Sequence, residues 1–397
     1  MRSLGAMKVL YAAAHADFPE TEPLGGGKAV ADYLAREWQA ARPFEFEVLS
    51  PSSLGLRLAR PLVEMGEFAY ARFCREFERA TTERILVTDP REVVVLTNDL
   101  SEGPDFAALG RAGFRVASIW HVDVVDFFTR IYLCGRVTPE RAAGWHRFPL
   151  PGFLRLVFHK QHDCVAHSAR IVVPSEPMRE VIRRCYPDCP TERIEVIPWG
   201  DLSAPSGEGD SADLDVGEDE YLIATLSRIS PEKGLDRFLR ALSLVETGEH
   251  RVRVMICGGP AFMMGHRCLR GLRRLAARVP SRIRVEFPGH LTASRKAALL
   301  RRADLFVSSS VHESYGLAIA EARSAGCRVI SHKHYGASGW VVDCADPRTL
   351  AAAISDEVRA GRRPPKKTAP ANGGADPWTA RRLADLLRRV ADEPGSC

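Results

Sequence analysis

The chain has 397 residues, of which 45% are hydrophobic and 26% charged. This composition is typical of a soluble globular protein, and the length predicts two or three domains of roughly 150 residues each. No run approaches the roughly 18 to 20 apolar residues of a membrane span, which excludes a transmembrane protein. Fifty-five basic and fifty acidic residues leave a net charge of only +5, which does not indicate a nucleic-acid partner.

The cysteines indicate a reducing compartment. Ten are scattered through the chain without a CxxC pair, at positions 74, 134, 164, 185, 189, 257, 268, 327, 344 and 397. Several lie inside apolar runs, as expected of free cysteine used as a small hydrophobic residue. We therefore predict a cytoplasmic protein with neither a disulfide framework nor a zinc site.

Short apolar runs alternate with stretches of helical period along the first half of the chain. The first run, residues 7–14, is too short for a signal-peptide core and is predicted to be a buried strand. The predicted strands of this half are residues 8–14, 44–49, 93–97, 115–120, 171–174 and 194–197. Continuous apolar strands separated by helices predict a parallel sheet covered on both faces.

Residues 203–220 are acidic and rich in Gly, Ser and Pro, which predicts a linker. The alternation then restarts, with strands predicted at residues 221–226, 252–257, 283–287, 305–308 and 328–331. A polar segment at 361–377 predicts a mobile loop, and an amphipathic helix is predicted at 378–391. The sequence thus predicts an N-terminal domain (1–202), a linker (203–220), a C-terminal domain (221–377) and a final helical segment (378–397).

The first strand leads into three glycines, Gly25, Gly26 and Gly27, followed by a helix predicted from Lys28. Glycine here lets backbone amides approach an anion at a helix N-terminus. The dinucleotide-binding fingerprint fails, because Val30 stands at its third glycine position and the strand ends about ten residues too early. Hydride transfer is therefore disfavoured, and a loop without a ligand remains the alternative.

Two cations follow the strand at 221–226. Arg228 and Lys233 should project from the carboxyl edge of the second sheet, where ligands bind in open α/β folds. Their charges suit a diphosphate, whereas two solvated loop cations are the alternative.

A strand at 305–308 leads into the segment that contains Glu313, Gly316 and Glu321. Gly316 would let an anion reach the free amides of a helix N-terminus. On one helix, the two glutamates would lie about 12 Å apart along the axis and roughly 80° apart around it. They are thus not a hydrolytic carboxylate pair, which needs about 5 to 9.5 Å. The alternatives are a capping box from Ser310 to Glu313 and an ordinary helical Glu321.

Two runs of basic residues carry weaker signals. His159, His162 and His167 have spacings that do not converge on one helix face, so no metal site is predicted. Seven arginines without an intervening acid are most simply a solvated helix face, with attraction to anionic lipid or an acidic acceptor as the alternative. They are Arg267, Arg270, Arg273, Arg274, Arg278, Arg282 and Arg284.

Together these features resemble the retaining glycosyltransferases of family 4, which have the GT-B fold. The resemblance is strongest over residues 221–354, in Ser-Arg-Ile-Ser-Pro-Glu-Lys-Gly at 227–234, Phe-Pro-Gly-His-Leu at 287–291 and Glu-Ser-Tyr-Gly-Leu at 313–317, with Glu321 and Gly326. The N-terminal half contributes the glycine loop, His121 after a strand, Val-Val-Pro-Ser at 172–175 and Ile-Pro-Trp-Gly-Asp at 197–201. The implied fold is α/β, with two Rossmann-like parallel-sheet domains facing a central cleft.

The resemblance also implies roles for individual residues. Arg228 and Lys233 would neutralise the diphosphate, Glu313 and His121 would contact the donor sugar, and Glu321 would hold the ribose. The implied donor site is completed by Gly26, Gly27, Gly289, His290, Leu291, Tyr315, Gly316 and Leu317, with the loop at 287–291 framing the base. No metal and no cofactor are implied, and the final helix would cross back onto the N-terminal domain.

The chain departs from the family pattern at three places. Trp199 replaces the usual Asn before Gly, Arg328 replaces a usual Pro, and the segment 331–340 is too short for the customary glycine-rich loop. His332, Lys333, His334 and Tyr335 occupy that place instead. We expect an altered donor pocket or an unusual donor sugar; lost activity is the second interpretation.

The leading prediction is a cytoplasmic bacterial enzyme that transfers a sugar, with retention, from a UDP- or GDP-linked donor to a small soluble natural-product intermediate. A nucleotide sugar and a small acceptor are the predicted partners, without nucleic acid; peripheral membrane contact and homo-oligomerisation stay open. The alternatives are a catalytically silent nucleotide-sugar-binding protein, a lipid- or polysaccharide-directed transferase, and a sugar-nucleotide epimerase.

Overall fold

The computed structural model describes residues 7–17, 25–58, 62, 65–200, 202, 216–217, 219–261, 264–333, 339–361 and 377–393. Contacts divide the chain into two units. The first contains the described residues among 1–18, 26–199 and 377–397, and the second those among 19–25 and 200–376. The predicted linker, the loop after residue 361, and His334 and Tyr335 lie mainly or wholly outside the described residues.

The first unit is built on a six-stranded parallel sheet. Its strands are β1 (Lys8–Ala12), β2 (Glu45–Leu49), β3 (Val93–Thr97), β4 (Arg115–Ile119), β5 (Arg170–Val173) and β6 (Ile194–Val196), in the order β2-β1-β3-β4-β5-β6. The central strand β3, Val-Val-Val-Leu-Thr, is buried along its whole length. Helices on both faces explain why it is apolar throughout instead of alternating.

The described helices of this half are α1 (Gly26–Ala41), α2 (Glu67–Leu86), α3 (Phe106–Arg111), α4 (Val124–Ile131), α5 (Pro139–Ala143), α6 (Gly152–His167) and α7 (Glu176–Cys185). Side-chain caps fix several of their starts: Asp105 accepts from the Ala108 amide, Asp123 from that of Asp126, and Thr138 from that of Arg141. Each cap satisfies one of the amides that a helix leaves unpaired at its first turn.

The second unit contains another six-stranded parallel sheet. Its strands are β7 (Glu220–Leu226), β8 (Arg251–Cys257), β9 (Ile283–Gly289), β10 (Leu305–Ser308), β11 (Arg328–His332) and β12 (Trp340–Val342), in the order β12-β11-β10-β7-β8-β9. The helices are α8 (Leu235–Leu242), α9 (Gly265–Ala276), α10 (Ala293–Arg302), α11 (Leu317–Ser324) and α12 (Pro347–Arg359). A core of buried aliphatic residues, with Phe238 and Tyr221, lies between the sheet and α8, α9 and α12.

Every predicted strand is present, with ends that differ from the prediction by at most two residues. β12 was not predicted, because it has three residues and two of them are exposed. The helix predicted from Lys28 begins instead at Gly26, so Gly26 and Gly27 form its first turn and not a loop. Phe287, Pro288 and Gly289 likewise belong to β9 and not to a loop, because pairing with β8 continues to Gly289 after a register shift.

The last helix, α13 (Pro377–Asp392), packs on the first unit. Its apolar face is fully buried, with Leu383, Leu386, Leu387 and Val390 at 0% exposure. Trp38 donates its indole N–H to the Ala380 carbonyl at 3.1 Å, and the Ala380 amide donates to the Tyr33 hydroxyl at 3.3 Å. The helix is therefore part of the first unit's core.

The basic runs singled out in the sequence are mostly surface features. The arginines of α9 and Arg278 are exposed, and the described residues give them no ion pair, whereas half-buried Arg179 and exposed Arg183 of α7 each pair with a glutamate three residues earlier. The histidine run lies on α6, where the His162 ring stacks on that of His146 at 3.8 Å. No group that could hold a metal ion occurs among the described residues.

Nine of the cysteines are described, and all nine are free, seven of them buried. Within the described part of the chain, no helix has both the length and the apolar character needed to cross a membrane.

Gly258 after β8 tests how closely the backbone is packed at the strand ends. Its φ is +140°, and a Cβ built there would lie 1.8 Å from the Ser227 carbonyl oxygen. We expect Gly258→Ala to destabilise the second unit by roughly 2–4 kcal/mol, since both strain and a backbone clash oppose the methyl group. Gly248→Ala is the control, because its φ is +55° with no atom within 4 Å, and it should cost only about 1–2 kcal/mol. Calorimetric unfolding checks this, and equal losses would contradict it.

Candidate functional site

Both sheets contain a point at which the strand order reverses. In the second unit it lies between β7 and β10, whose residues Ile223 and Ala224 pair with Leu305 and Phe306. In the first unit it lies between β1 and β3. Connections leave the sheet in opposite directions at such a point, which opens a crevice at the carboxyl ends of the two strands. Each unit has polar residues clustered at these ends.

In the second unit, Arg228 follows β7 directly. Its guanidinium lies 3.4 Å from the Glu232 carboxylate, which also accepts from the Ser230 hydroxyl at 2.5 Å. Burial tends to raise the pKa of Glu232, but Arg228, Lys233 and the Ser230 hydroxyl outweigh it and hold that pKa below its usual range. Glu232 is therefore a buried anion that holds the Arg228 guanidinium in position.

Lys233 ends the next turn and forms an ion pair with Glu313, with 2.6 Å between Nζ and Oε1. The two loops that carry them are joined twice more: the Ser309 hydroxyl donates to the Lys233 carbonyl at 2.9 Å, and the Val311 amide donates to the Glu232 carbonyl at 2.8 Å. The structure thus brings Lys233 and Glu313 together although 80 residues separate them.

Gly316 precedes α11 in the left-handed conformation, with φ +83° and ψ +55°. Ile319 and Ala320 both donate their amides to the Gly316 carbonyl, so α11 begins at Leu317 and its first-turn amides lie at the sheet edge. A capping box from Ser310 to Glu313 is wrong, because Gly316 is the N-cap. Glu321, inside α11, pairs with Lys296 at 2.7 Å. The two glutamates therefore have separate partners.

The remaining candidates of this unit lie at the same edge of the sheet or close to it. Gly289 ends β9 with φ +82° and open space around its α-carbon. His290 is exposed and Leu291 is half-buried. The Tyr315 hydroxyl accepts the Gly200 amide at 2.9 Å, which anchors the turn before α11.

In the first unit, the amide of Asn98 connects three elements. Its Oδ1 accepts from the Tyr11 hydroxyl at 2.5 Å and lies 3.3 Å from Nε2 of His121, and its Nδ2 donates to the Gly27 carbonyl at 2.9 Å. A Cβ on Gly27 would lie 3.3 Å from Nδ1 of His15 and 3.4 Å from His121. Burial and then the nearby His15 lower the pKa of His121 to about 4, so His121 is a neutral hydrogen-bonding group at pH 7.

A second cluster extends from the same edge. Nε2 of His15 lies 3.3 Å from the Glu102 carboxylate, which also accepts from the Tyr70 hydroxyl. Burial tends to raise the pKa of Glu102, but the hydrogen bond from His15 contributes most to lowering it. Burial and then Glu102 raise the pKa of Asp99 to about 7. Two neighbouring carboxyls thus have pKa values that are driven apart, a pattern common at functional sites.

Sequence reasoning missed His15, Asn98, Asp99, Glu102 and Glu232. Asn98 and Asp99 follow a predicted strand just as His121 does, so the strand-end rule could have found them. His15 comes three residues after the end of β1, and nothing in its spacing links it to Glu102, 87 residues later.

Solved structures with the same fold cover almost the whole chain. HepE of Anabaena, solved in complex with UDP and glucose, has a TM-score of 0.58 with 15% identity over 98% of this chain and 96% of that one. Sucrose-phosphate synthase from Thermosynechococcus elongatus has a TM-score of 0.62 with 18% identity over 98% and 95%. The chain has the GT-B fold, and at these identities the likeness establishes the fold alone.

Residues 208–358 match the family model described as Glycosyl transferases group 1. A D-inositol 3-phosphate glycosyltransferase of Salinispora tropica is 31% identical over 280 residues, 64% of this chain and 56% of that protein. An alpha-monoglucosyldiacylglycerol synthase of Streptococcus pneumoniae is 30% identical over 119 residues, 30% and 26%. The chain spans about half the length of the first of these relatives and less of the second. Residues 208–358 are thus similar to the group 1 glycosyltransferases, which supports the resemblance to family 4.

The pKa of Asp99 gives a test of the first cluster. The folded protein keeps this proton up to about pH 7, whereas the ordinary pKa is 3.8, so stability is lost as the pH rises between these values. The Asp99→Asn variant cannot ionise at this position. Its melting temperature should therefore exceed that of the wild type by an amount that grows from about pH 4 to pH 7 and stays constant at higher pH. Exposed Asp385→Asn is the control, and parallel melting curves against pH for Asp99→Asn and wild type would contradict the assignment.

Proposed function

We propose that this protein transfers a sugar, with retention of configuration, from a nucleotide diphosphate to a small soluble acceptor. The observation that carries the proposal is the grouping of Arg228, Lys233 and Glu313 at the switch point of the second sheet, beside the first turn of α11. A diphosphate needs fixed cations and free amides, and this edge offers both.

The donor diphosphate would bind to Arg228, Lys233 and the amides of Gly316 and Leu317. Glu232 supports this role, because it holds the Arg228 guanidinium in place before any ligand arrives. When the bond to the sugar breaks, negative charge grows on the departing diphosphate. Preorganised cations and amides stabilise that charge without reorganising, which supplies most of the catalysis. This chemistry requires no metal or cofactor.

Lys233 and Glu313 would have complementary roles. The 2.6 Å ion pair holds the ammonium in place, and a bound diphosphate would compete for it. The Glu313 carboxylate would then face the donor sugar near the reacting carbon. Glu321 would hold the ribose, while Gly289, His290, Leu291 and Tyr315 would line the base and sugar positions.

The acceptor would bind at the first unit's cluster. Neutral His121, Asn98 and the His15–Glu102 pair offer hydrogen-bond donors and acceptors suited to a polyhydroxylated molecule. Gly26 and Gly27 would bring the first turn of α1 close to the acceptor. The proposed acceptor is a small natural-product intermediate. A polyol phosphate is the first compound to test, because several relatives are described as D-inositol 3-phosphate glycosyltransferases.

Lipid-directed transfer is the second candidate. The observation that favours it is an exposed apolar loop of the first unit, residues 148–151, in which Phe148 is 60% exposed.

Nucleotide binding should depend on Arg228. In a thermal-shift panel of UDP, GDP, ADP and TDP with and without their sugars, we expect one nucleotide to stabilise the wild type, by about 2.7 kcal/mol at 100 times its Kd. Arg228→Ala should weaken binding about 10- to 100-fold through loss of a charge-assisted contact, and Glu321→Ala should also weaken it. Arg270→Ala on α9 is the matched control. No response to any nucleotide would refute the proposal.

Turnover separates the enzyme from the alternatives. With the stabilising donor and a panel of polyol phosphates and sugars, we expect release of nucleoside diphosphate and a product whose anomeric carbon, read by NMR, keeps the donor's configuration. Glu313→Gln should keep nucleotide binding but lower kcat about 100-fold or more. Binding without turnover would support the silent protein, isomerised donor without acceptor would support the epimerase, and an inverted product would contradict retention.

A further inference from the structure

The loop between residues 148 and 151 exposes Phe148, Pro149 and Pro151 to solvent, with Leu150 half-buried. It joins the short 3-10 turn Gly144–Arg147 to α6 and reads Phe-Pro-Leu-Pro, followed by Gly152, Phe153 and Leu154. This run of seven uncharged residues is bounded by Arg147 and Arg155. Exposed apolar side chains are common singly, but a contiguous group marks an interaction site.

Aromatic side chains form the body of this patch. Phe148 is 60% exposed, and Tyr132, which follows α4, is 44% exposed. The Tyr132 ring lies 6.3 Å from that of Phe153 and stacks on Phe128 at 5.1 Å. Tyr132 therefore packs on buried Phe128 and is partly exposed to solvent. Tyrosine and other aromatic rings are enriched where membrane and water meet, because they have an apolar body and a wet edge.

The backbone of the loop carries few polar groups that a nonpolar partner would have to desolvate. Pro149 and Pro151 have no N–H, and the Phe148 amide already donates to the Trp145 carbonyl at 3.0 Å. The Leu154 amide donates to the Pro151 carbonyl at 3.1 Å. An unpaired amide is costly in hydrocarbon, so this local pairing makes the loop suitable for shallow insertion.

The chain segment that forms the patch carries only basic charges. No acidic residue occurs from 141 to 162, a stretch that contains Arg141, Arg147 and Arg155. Arg147 is exposed, and the Arg155 side chain is 47% exposed, with its guanidinium 3.9 Å from the Glu78 carboxylate. Arginine binds phosphate in bidentate fashion, and basic residues beside inserted apolar groups attract anionic headgroups.

We infer that residues 147–155, together with Tyr132, form a docking surface for a bilayer that contains anionic phospholipid. Phe148 and Leu150 enter the interface, and Arg147 and Arg155 contact headgroup phosphates. Nucleic acid is disfavoured as the occupant, because the centre of the patch is apolar and proline-rich instead of basic. The inference rests on this surface alone and not on the proposed transfer.

The test uses the full chain and sedimentation with two kinds of vesicle, phosphatidylcholine alone and phosphatidylcholine mixed with phosphatidylglycerol. We expect the wild type to bind only the mixed vesicles, and binding to weaken at high salt. Phe148→Ser should lower the partition coefficient about tenfold. Arg147→Glu should lower it by about tenfold or more, since it replaces an attractive charge with a repulsive one.

Two matched controls exclude general effects. Leu244→Ser removes an apolar side chain of 53% exposure from the second unit. Arg270→Glu makes the same charge change at an exposed arginine of α9 that pairs with none of the described residues. Both should bind vesicles within about twofold of wild type. The melting temperature of every variant reports whether it folds, and its response to nucleotide reports whether the donor site works. Failure of the donor site can therefore be distinguished from failure of this surface.

Three outcomes would overturn the inference. The first is absence of wild-type binding to the mixed vesicles, and the second is an equal loss in the controls. The third is a Phe148→Ser variant that changes the oligomeric state in solution, since the surface would then be covered by a second copy of the chain. Binding of a short DNA duplex that depends on Arg147, without vesicle binding, would assign the surface to nucleic acid instead.

Discussion

The reversal of strand order in each parallel sheet is the constraint on which both polar clusters depend. Where neighbouring strands send their connections to opposite faces, no crossover helix covers their carboxyl ends. In the second unit this leaves Arg228 after β7 beside the β10 loop that carries Glu313. In the first unit it leaves His15 after β1 beside Asn98 after β3. Residues far apart in sequence meet because the topology leaves these ends open.

The two clusters manage charge differently. In the second unit, cations and anions pair closely, and buried Glu232 keeps its charge because Arg228, Lys233 and the Ser230 hydroxyl support it. In the first unit, burial suppresses the charge of His121, whose pKa falls to about 4, and of Asp99, whose pKa rises to about 7, while Glu102 keeps its charge beside His15. Ion pairing suits recognition of a charged group such as diphosphate, whereas neutral hydrogen-bonding groups suit hydroxyls.

The sequence predicted the sheets well, because continuous burial selects short valine-rich runs such as Val93–Thr97, and short length with β-branched residues is typical of buried strands. It also predicted that Arg228, Lys233 and Glu313 lie after strands at the carboxyl edge of the second sheet. It could not predict that Glu313 pairs with Lys233 and Glu321 with Lys296, since these pairs depend on which strands are neighbours. His15 and Glu102 were missed for the same reason, and the start of α1 was misplaced because glycine also adopts helical angles at a first turn.

The exposed loop at 148–151 bears on the choice of acceptor. Burying a phenylalanine ring is worth about 1.5–3 kcal/mol, and a bilayer would provide that burial for Phe148. If vesicles containing phosphatidylglycerol recruit the chain through this loop, an acceptor held in the bilayer gains effective concentration over a dissolved one. Recruitment would therefore favour lipid-directed transfer over the soluble acceptor. Without it, the hydroxyl-binding groups of the first unit favour the soluble molecule, because neutral His121 and Asn98 provide hydrogen bonds and no contact for an acyl chain.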